Sequence, residues 1–202
     1  MKKINLFLIF VLCFFCINGF GQGTNCATAD PFCTGTSYAF PMNTGTIAEG
    51  GPNYACLCTQ PNPVWYYLLI DNPGNITIGI SSPTGNDVDF TAWGPFSSPT
   101  APCTAQLTAA CTGCESGGTC YNNTDTLSSY PSGNTVDCSF DMAASEVFHI
   151  LNALSGQYYL LCITNFSDSP GNLNFSQIAG PGTTNCNIVY CNMTELQLPV
   201  HV

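Results

Sequence analysis

Two carboxylates two residues apart, Asp87 and Asp89 in the segment Asn86-Asp87-Val88-Asp89-Phe90, are the first groups in this chain with obvious chemistry. Alternate residues of a strand face the same way, so both acids would project from one side. With Asn86 and loop carbonyls they make an oxygen-rich set of the kind calcium takes. Calcium is therefore the one cofactor the residues admit; the plainer reading is a pair of solvent-facing or turn-capping aspartates. Trp93 follows on the same segment and leads into Gly94-Pro95-Phe96. An aromatic at a strand-to-loop junction is placed to stack on a ligand such as a sugar ring; the alternative is that Trp93 covers an edge of the fold. Catalysis finds less support. A Ser-His-Asp arrangement would need His149 or His201, and no G-x-S-x-G turn occurs. His201 stands one residue from the end, and His149 lies in a strand-like run. The twelve acidic residues offer many nominal carboxylate pairs, so a pair alone does not indicate a glycosidase. The expectation is a protein that is not an enzyme.

The chain has fourteen cysteines. Cys13 and Cys16 lie in an apolar leader. Cys26, Cys33, Cys56, Cys58, Cys103, Cys111, Cys114, Cys120, Cys138, Cys186 and Cys191 are expected in disulfides, with pairing that one sequence does not give. Cys162 sits inside an apolar strand-like run, so it is either one more partner or a buried thiol. In the second case another cysteine is also unpaired. Cys111-Thr112-Gly113-Cys114 has CxxC spacing. Zinc would need four ligands, and a redox pair would need a βαβ setting that the sequence lacks, so structural disulfides are the expectation.

Lys2 and Lys3 precede an apolar run over 4–20 that ends in Gly19-Phe20-Gly21. A basic start, a hydrophobic middle and small residues at the end read as a secretory leader over 1–21, cut before Gln22. The run is short for a membrane span, which takes roughly 20 residues. No lysine or arginine follows Lys3, which excludes nucleic acid and anionic lipid as partners held by basic contacts.

The elements that must position these groups are strands. Glycine and proline recur every few residues, and helix formers are scarce. The run from Val64 to Ile70 is continuously apolar, as in a strand buried on both faces. Ile76, Ile78 and Ile80 alternate with Thr77 and Gly79, and Val88, Phe90 and Ala92 alternate with Asp87, Asp89 and Thr91. Further strands are expected at 146–150 and 157–164 and around Leu173 and Phe175. Residues 97–145 are rich in Ser, Thr, Gly, Asn and Cys, and read as a cysteine-stapled insertion. The words Tyr-Tyr-Leu-Leu and Pro-Gly-Asn occur twice, at 66–69 with 73–75 and at 158–161 with 170–172. Two similar hairpins in one domain suit a two-sheet sandwich; the plainer reading is that hairpins with similar jobs converge on similar words. The expected layout is a leader at 1–21, an all-β, disulfide-rich two-sheet β-sandwich at 22–185 with its Cys-rich insertion, and a tail or the start of a following module at 186–202.

In order along the chain, NCATADPFCTGTSYAFP, PNYACL, PNPVWYYLLI, NPGNITIGI, DVDFTAWGPF, LNALSGQYYLLCITNF, SPGNLNFSQIAG and TTNC resemble the N-terminal domain of large secreted surface proteins of Bacteroidetes, flavobacteria above all. The resemblance spans roughly Asn25 to Cys186. It implies a jelly-roll or pre-peptidase-like sandwich, a secreted or cell-surface location, the type IX secretion route, further domains in a longer chain and an adhesin-like role without catalysis. Asp125-Thr126-Leu127 is similar to the O-glycosylation acceptor of that phylum, with Thr126 as the acceptor. The functional expectation is an extracellular adhesion module that meets surface glycans or proteins. The alternatives are a calcium-dependent carbohydrate-binding module and an accessory domain of a secreted hydrolase.

Overall fold

The computed structural model describes residues 22–50, 54–104, 107, 123 and 130–185. Among these residues nine strands form: β1 (Asp30–Pro31), β2 (Tyr38–Pro41), β3 (Val64–Leu69), β4 (Gly74–Ser81), β5 (Val88–Phe96), β6 (Thr135–Ser139), β7 (Ser145–Ala153), β8 (Tyr158–Asn165) and β9 (Asn172–Ala179). Two short 3-10 turns, Cys26–Thr28 and Ala101–Thr104, are the helical structure among the described residues.

One sheet has the order β1-β3-β8-β5-β6 and the other β2-β9-β4-β7. The order follows from a single long hairpin. β5 pairs with β6, β4 with β7, β3 with β8 and β2 with β9, all antiparallel. Successive rungs fall in opposite sheets, and the roll is closed by β5 on β8 and β4 on β9. That winding is a jelly roll, a two-sheet arrangement built from Greek keys. β1 adds a parallel edge strand beside β3. The repeated Tyr-Tyr-Leu-Leu words lie side by side, Tyr66 opposite Leu161 and Leu69 opposite Tyr158. The duplicated text thus marks the two strands that pair in one rung.

Side chains of alternate residues fill the space between the sheets. Tyr66 and Leu68, Ile76 to Ile80, Val88 and Phe90, Phe148 and Ile150, Leu161 and Ile163, and Leu173 and Phe175 form this core. Each fully buried aliphatic or phenyl side chain contributes about 1.5–3 kcal/mol relative to exposure. The opposite face of the larger sheet is covered as well. Trp65, Trp93, Leu160 and Cys162 pack there against Cys26, Cys138 and the Tyr54–Leu57 segment. This second layer explains why β3 and β8 read as uninterrupted apolar runs. Gly94 lies where the β5–β8 register shifts, between Trp93 and Phe96. Its φ is +157°, and a Cβ would collide with the Tyr159 ring.

Two disulfides fasten the cover, Cys26–Cys103 and Cys56–Cys138, and Cys58 is disulfide-bonded as well. Cys33 departs from the sequence expectation: its thiol is free and half-buried. The reason is placement. Cys33 packs with the core between the sheets, whereas the other described cysteines that pack in a cluster do so on the far face of the larger sheet. Cys162 is a fully buried free thiol, the second of the alternatives its sequence leaves open, and Cys33 and Cys162 are the free cysteines among the described residues. A second departure concerns residues 97–145. They include β6, a strand of the larger sheet, and the first residue of β7, Ser145. β6 is an edge strand with the sequence Thr-Val-Asp-Cys-Ser, too polar to show alternation. The leader at 1–21, the tail at 186–202, Thr126 and Cys111, Cys114, Cys120, Cys186 and Cys191 lie outside the described residues.

Candidate functional site at one end of the sandwich

Three connections meet at one end of the roll: 82–87 between β4 and β5, 140–144 between β6 and β7, and 166–171 between β8 and β9. The sequence places Ser, Thr, Gly, Asn and Asp in them, residues that satisfy turn backbones through short side chains. Asp87 is the knot. Its Oδ1 accepts from Ala143 N at 3.1 Å, its N–H donates to Ser167 Oγ at 2.8 Å, and its carbonyl accepts from Phe166 N at 3.0 Å. Val88 N donates to Ala143 O at 3.1 Å and Ser82 N to Ala144 O at 2.7 Å. From the cover, the Cys56–Cys138 disulfide brings the segment 56–59 against the same end.

A cleft of about 320 Å³ opens there. Asp87 and Asp89 both line it, as the strand alternation predicts, together with Leu57, Thr59, Phe140, Met142 and Phe166. Asp89 is only 4% exposed, and its Oδ1 accepts no hydrogen bond among the described residues. Burial drives its carboxyl up to about 7, with the negative charges of Asp87, Glu146 and Asp141 adding to the rise. Burial also raises Asp87, offset in part by the Ala143 N–H. Glu146, buried on β7, is pushed to about 7 by desolvation against a lowering hydrogen bond from Ser139. Its Oε1 has no partner among the described residues. The mouth of the cleft is apolar. Met142 is 91% exposed, Phe166 49% and Phe140 39%. Three large apolar side chains held out in water around one cleft form a surface of the kind that meets a partner.

The donor set is thin for a metal. Calcium takes six to eight oxygen ligands, and among the described residues no three His, Cys, Asp or Glu side chains are grouped to hold an ion. Trp93 is a correction to the sequence reading. It is 0% exposed and stacks on Trp65 at 5.6 Å and 12°, inside the cover layer. The bulky Tyr54–Leu57 segment and Leu107 close over it, so its face is not open to a ligand. The accessible aromatics are Phe140 and Phe166. Sequence reasoning missed them, although each is a bulky apolar residue flanked by polar ones, Ser139-Phe140-Asp141 and Asn165-Phe166-Ser167.

A second cleft, of about 300 Å³, lies at the open edge between β6 and β7 and is lined by Tyr130, Pro131, Asp137, His149, Leu151 and Tyr159 among others. Asp137 is 3% exposed and accepts from His149 N at 2.7 Å and from Cys138 N at 2.9 Å. Its Oδ2 also sits 3.2 Å from His149 Nδ1, and this contact raises the imidazole pKa. The buried carboxylate thereby caps the edge strand β7. Among the described residues no hydroxyl or thiol is hydrogen-bonded to His149.

No described protein family matches the sequence, and no curated protein does. Two solved structures show a distant likeness. One is the pre-peptidase C-terminal domain of a collagenase from Bacillus anthracis, 11% identical, with a TM-score of 0.35 over 74% of this chain and 93% of that one. The other is CorA, a surface-associated copper-binding protein of Methylomicrobium album BG8, 6% identical, with a TM-score of 0.41 over 80% of this chain and all of that one. Likenesses this low transfer no property, and the fold stands on its own strand order.

Proposed function

We propose that this chain is a non-catalytic extracellular module of an adhesin-like surface protein, and that it binds through the loop end of the roll. One observation carries the reading: the cleft over Asp87 and Asp89, rimmed by exposed Phe140, Met142 and Phe166. A partner that buried the exposed Met142 and Phe166 side chains would gain about 25 cal/mol per Å² of apolar surface. The disulfides agree with an oxidising, exported setting. The test is a screen of the oxidised chain on glycan and surface-protein arrays, with calcium and with chelator. The parent is compared with a Phe166→Ser/Met142→Ser variant. Binding that the variant loses, with near-ultraviolet circular dichroism unchanged, supports the reading. Binding that ignores the variant, or a blank array for the parent, overturns it.

A calcium-dependent carbohydrate-binding module is the second reading, favoured by the unpartnered Asp89 Oδ1. It requires binding on the glycan array that vanishes with chelator. The structure adds a constraint, because stacking on the sugar would fall to Phe140 or Phe166 and not to Trp93.

A further inference from the structure

Asp89 presents a physical problem that the described residues do not solve. A buried carboxylate oxygen without a donor costs a large part of its hydration. The usual remedy is a basic side chain, but no Lys or Arg follows Lys3. His149 faces Asp137 in the other cleft. The backbone N–H of Ala143 is given to Asp87. Among the described residues none supplies that donor, and the cleft that Asp89 lines is open to one from outside.

We propose that the loop-end cleft is a receptor for a basic side chain, lysine or arginine, presented by a partner protein; this rests on the reading that the loop end is the binding end. Asp87 and Asp89 form the floor and Asp141 and Glu146 add negative potential from the β6–β7 connection and from β7. Phe140, Phe166 and Met142 form the rim. That layout fits a cation on an apolar stem: the stem lies along thioether and phenyl groups while the charged head reaches the carboxylates. A phenyl face beside the cation adds attraction. Calcium fits less well. It would need six to eight oxygens, and the cleft supplies two carboxylates and an apolar mouth in place of the remainder. The walls are preformed by the hydrogen bonds of Asp87 and by the Cys56–Cys138 disulfide, so little ordering is left for the partner to drive.

Entry of the cation also draws the proton from Asp89. The titratable groups around that carboxyl are Asp87, Asp141 and Glu146. All are acids, so binding strengthens from pH 6 to pH 8 as Asp89 ionises.

The experiment titrates the oxidised chain with acetyl-Gly-Lys-Gly-amide, the arginine and glutamine equivalents, and calcium chloride, followed by amide chemical shifts. Expected are shifts for the Lys or Arg peptide centred on 86–89, 140–143 and 166–167, weaker in high salt, and no saturation by the glutamine peptide. Asp89→Asn weakens binding about tenfold or more, the loss of one charge-assisted contact. Phe166→Ala, which leaves every backbone hydrogen bond in place, weakens it severalfold and guards against a folding defect in the first variant. Equal affinity for the glutamine peptide, or affinity unchanged in both variants, overturns the proposal. So does calcium binding abolished by Asp89→Asn when no basic peptide binds. If the basic peptides fail while array binding still depends on Phe166 and Met142, the cation inference falls and the binding-end reading stands; if both fail, both fall.

Discussion

Replacing Trp93 with alanine separates a binding role from a structural one. The side chain is 0% exposed, stacked on Trp65 beneath the cover. A tryptophan buries about 150–250 Å². At about 25 cal/mol per Å² that is roughly 4–6 kcal/mol, an upper bound because unfolded chains already hide some surface. Measured Trp→Ala losses in cores run about 3–5 kcal/mol. We therefore expect Trp93→Ala to cost about 4 kcal/mol. With a urea slope of about 2–3 kcal/mol/M, the midpoint falls by roughly 1.5 M. The assay is equilibrium urea unfolding of the oxidised protein, read by the fluorescence of the remaining Trp65. Met142→Ala, at a 91% exposed position, is the control and shifts the midpoint by under about 0.5 kcal/mol in free-energy terms. A Trp93→Ala protein with the parent's midpoint and lost ligand binding would refute the reasoning and return Trp93 to the surface.

The Cys56–Cys138 bridge has a sequence separation of 82, for which chain entropy gives about 4.5 kcal/mol. Cys26–Cys103 closes part of the same chain, so a Cys56→Ala/Cys138→Ala variant should lose about 2–4 kcal/mol in urea unfolding; a loss under about 1 kcal/mol contradicts this. Asp89 and Glu146 have folded pKa values of about 7, above their ordinary 3.8 and 4.5, so their contribution is full below pH 4 and is lost as pH rises through 7. His149, also raised, acts in the same direction, while Asp168, lowered by Gly45 N–H and Asn62, acts oppositely at acid pH. Urea midpoints should therefore fall from pH 5 to pH 8, and Asp89→Asn with Glu146→Gln should flatten that slope by at least about 1 kcal/mol. Alkylation followed by peptide mapping should label Cys33 in the native protein and Cys162 only in denaturant, given their half-buried and fully buried thiols; native labelling of Cys162 would show the cover to be open.

Much of the fold was legible because the core strands advertise themselves. Ile76 to Ile80 and Val88 to Ala92 alternate, and Val64 to Leu69 does not, which correctly marks a strand hidden on both faces. What covers the outer face was not legible, since Tyr54–Leu57 and Trp93 meet only after the roll closes. β2 and β6 were missed because they are short, edge-placed strands of four and five residues whose pairing comes from tertiary neighbours. The aspartate pair was visible from its spacing, and the cleft does bring both members together. Its apolar rim was not visible, because the turn that carries Phe140 and Met142 and the turn that carries Phe166 lie apart in sequence and meet only in the fold. Cysteine arithmetic gave parity but not sidedness, and sidedness is what leaves Cys33 out.

The rolled hairpin also dictates how the module would bear tension. Gly23 bridges to Trp65, and Asn185 N donates to Leu69 O at 2.8 Å, so both ends of the described chain rest on the single strand β3. Pulled apart, the roll would peel rung by rung, β2 from β9 and then β3 from β8, a few hydrogen bonds at a time. The Cys26–Cys103 bond changes the route of the load. With Cys56–Cys138 also in place, the segments 26–56, 56–103 and 103–138 run in parallel between the same two bonds; the shortest, 26–56, goes taut first, and 56–103, which carries β3 to β5, hangs slack. Oxidation thus shortens the length the chain can pay out under strain and leaves β3, β4 and β5 unloaded, ready to recapture their partners when the pull relaxes.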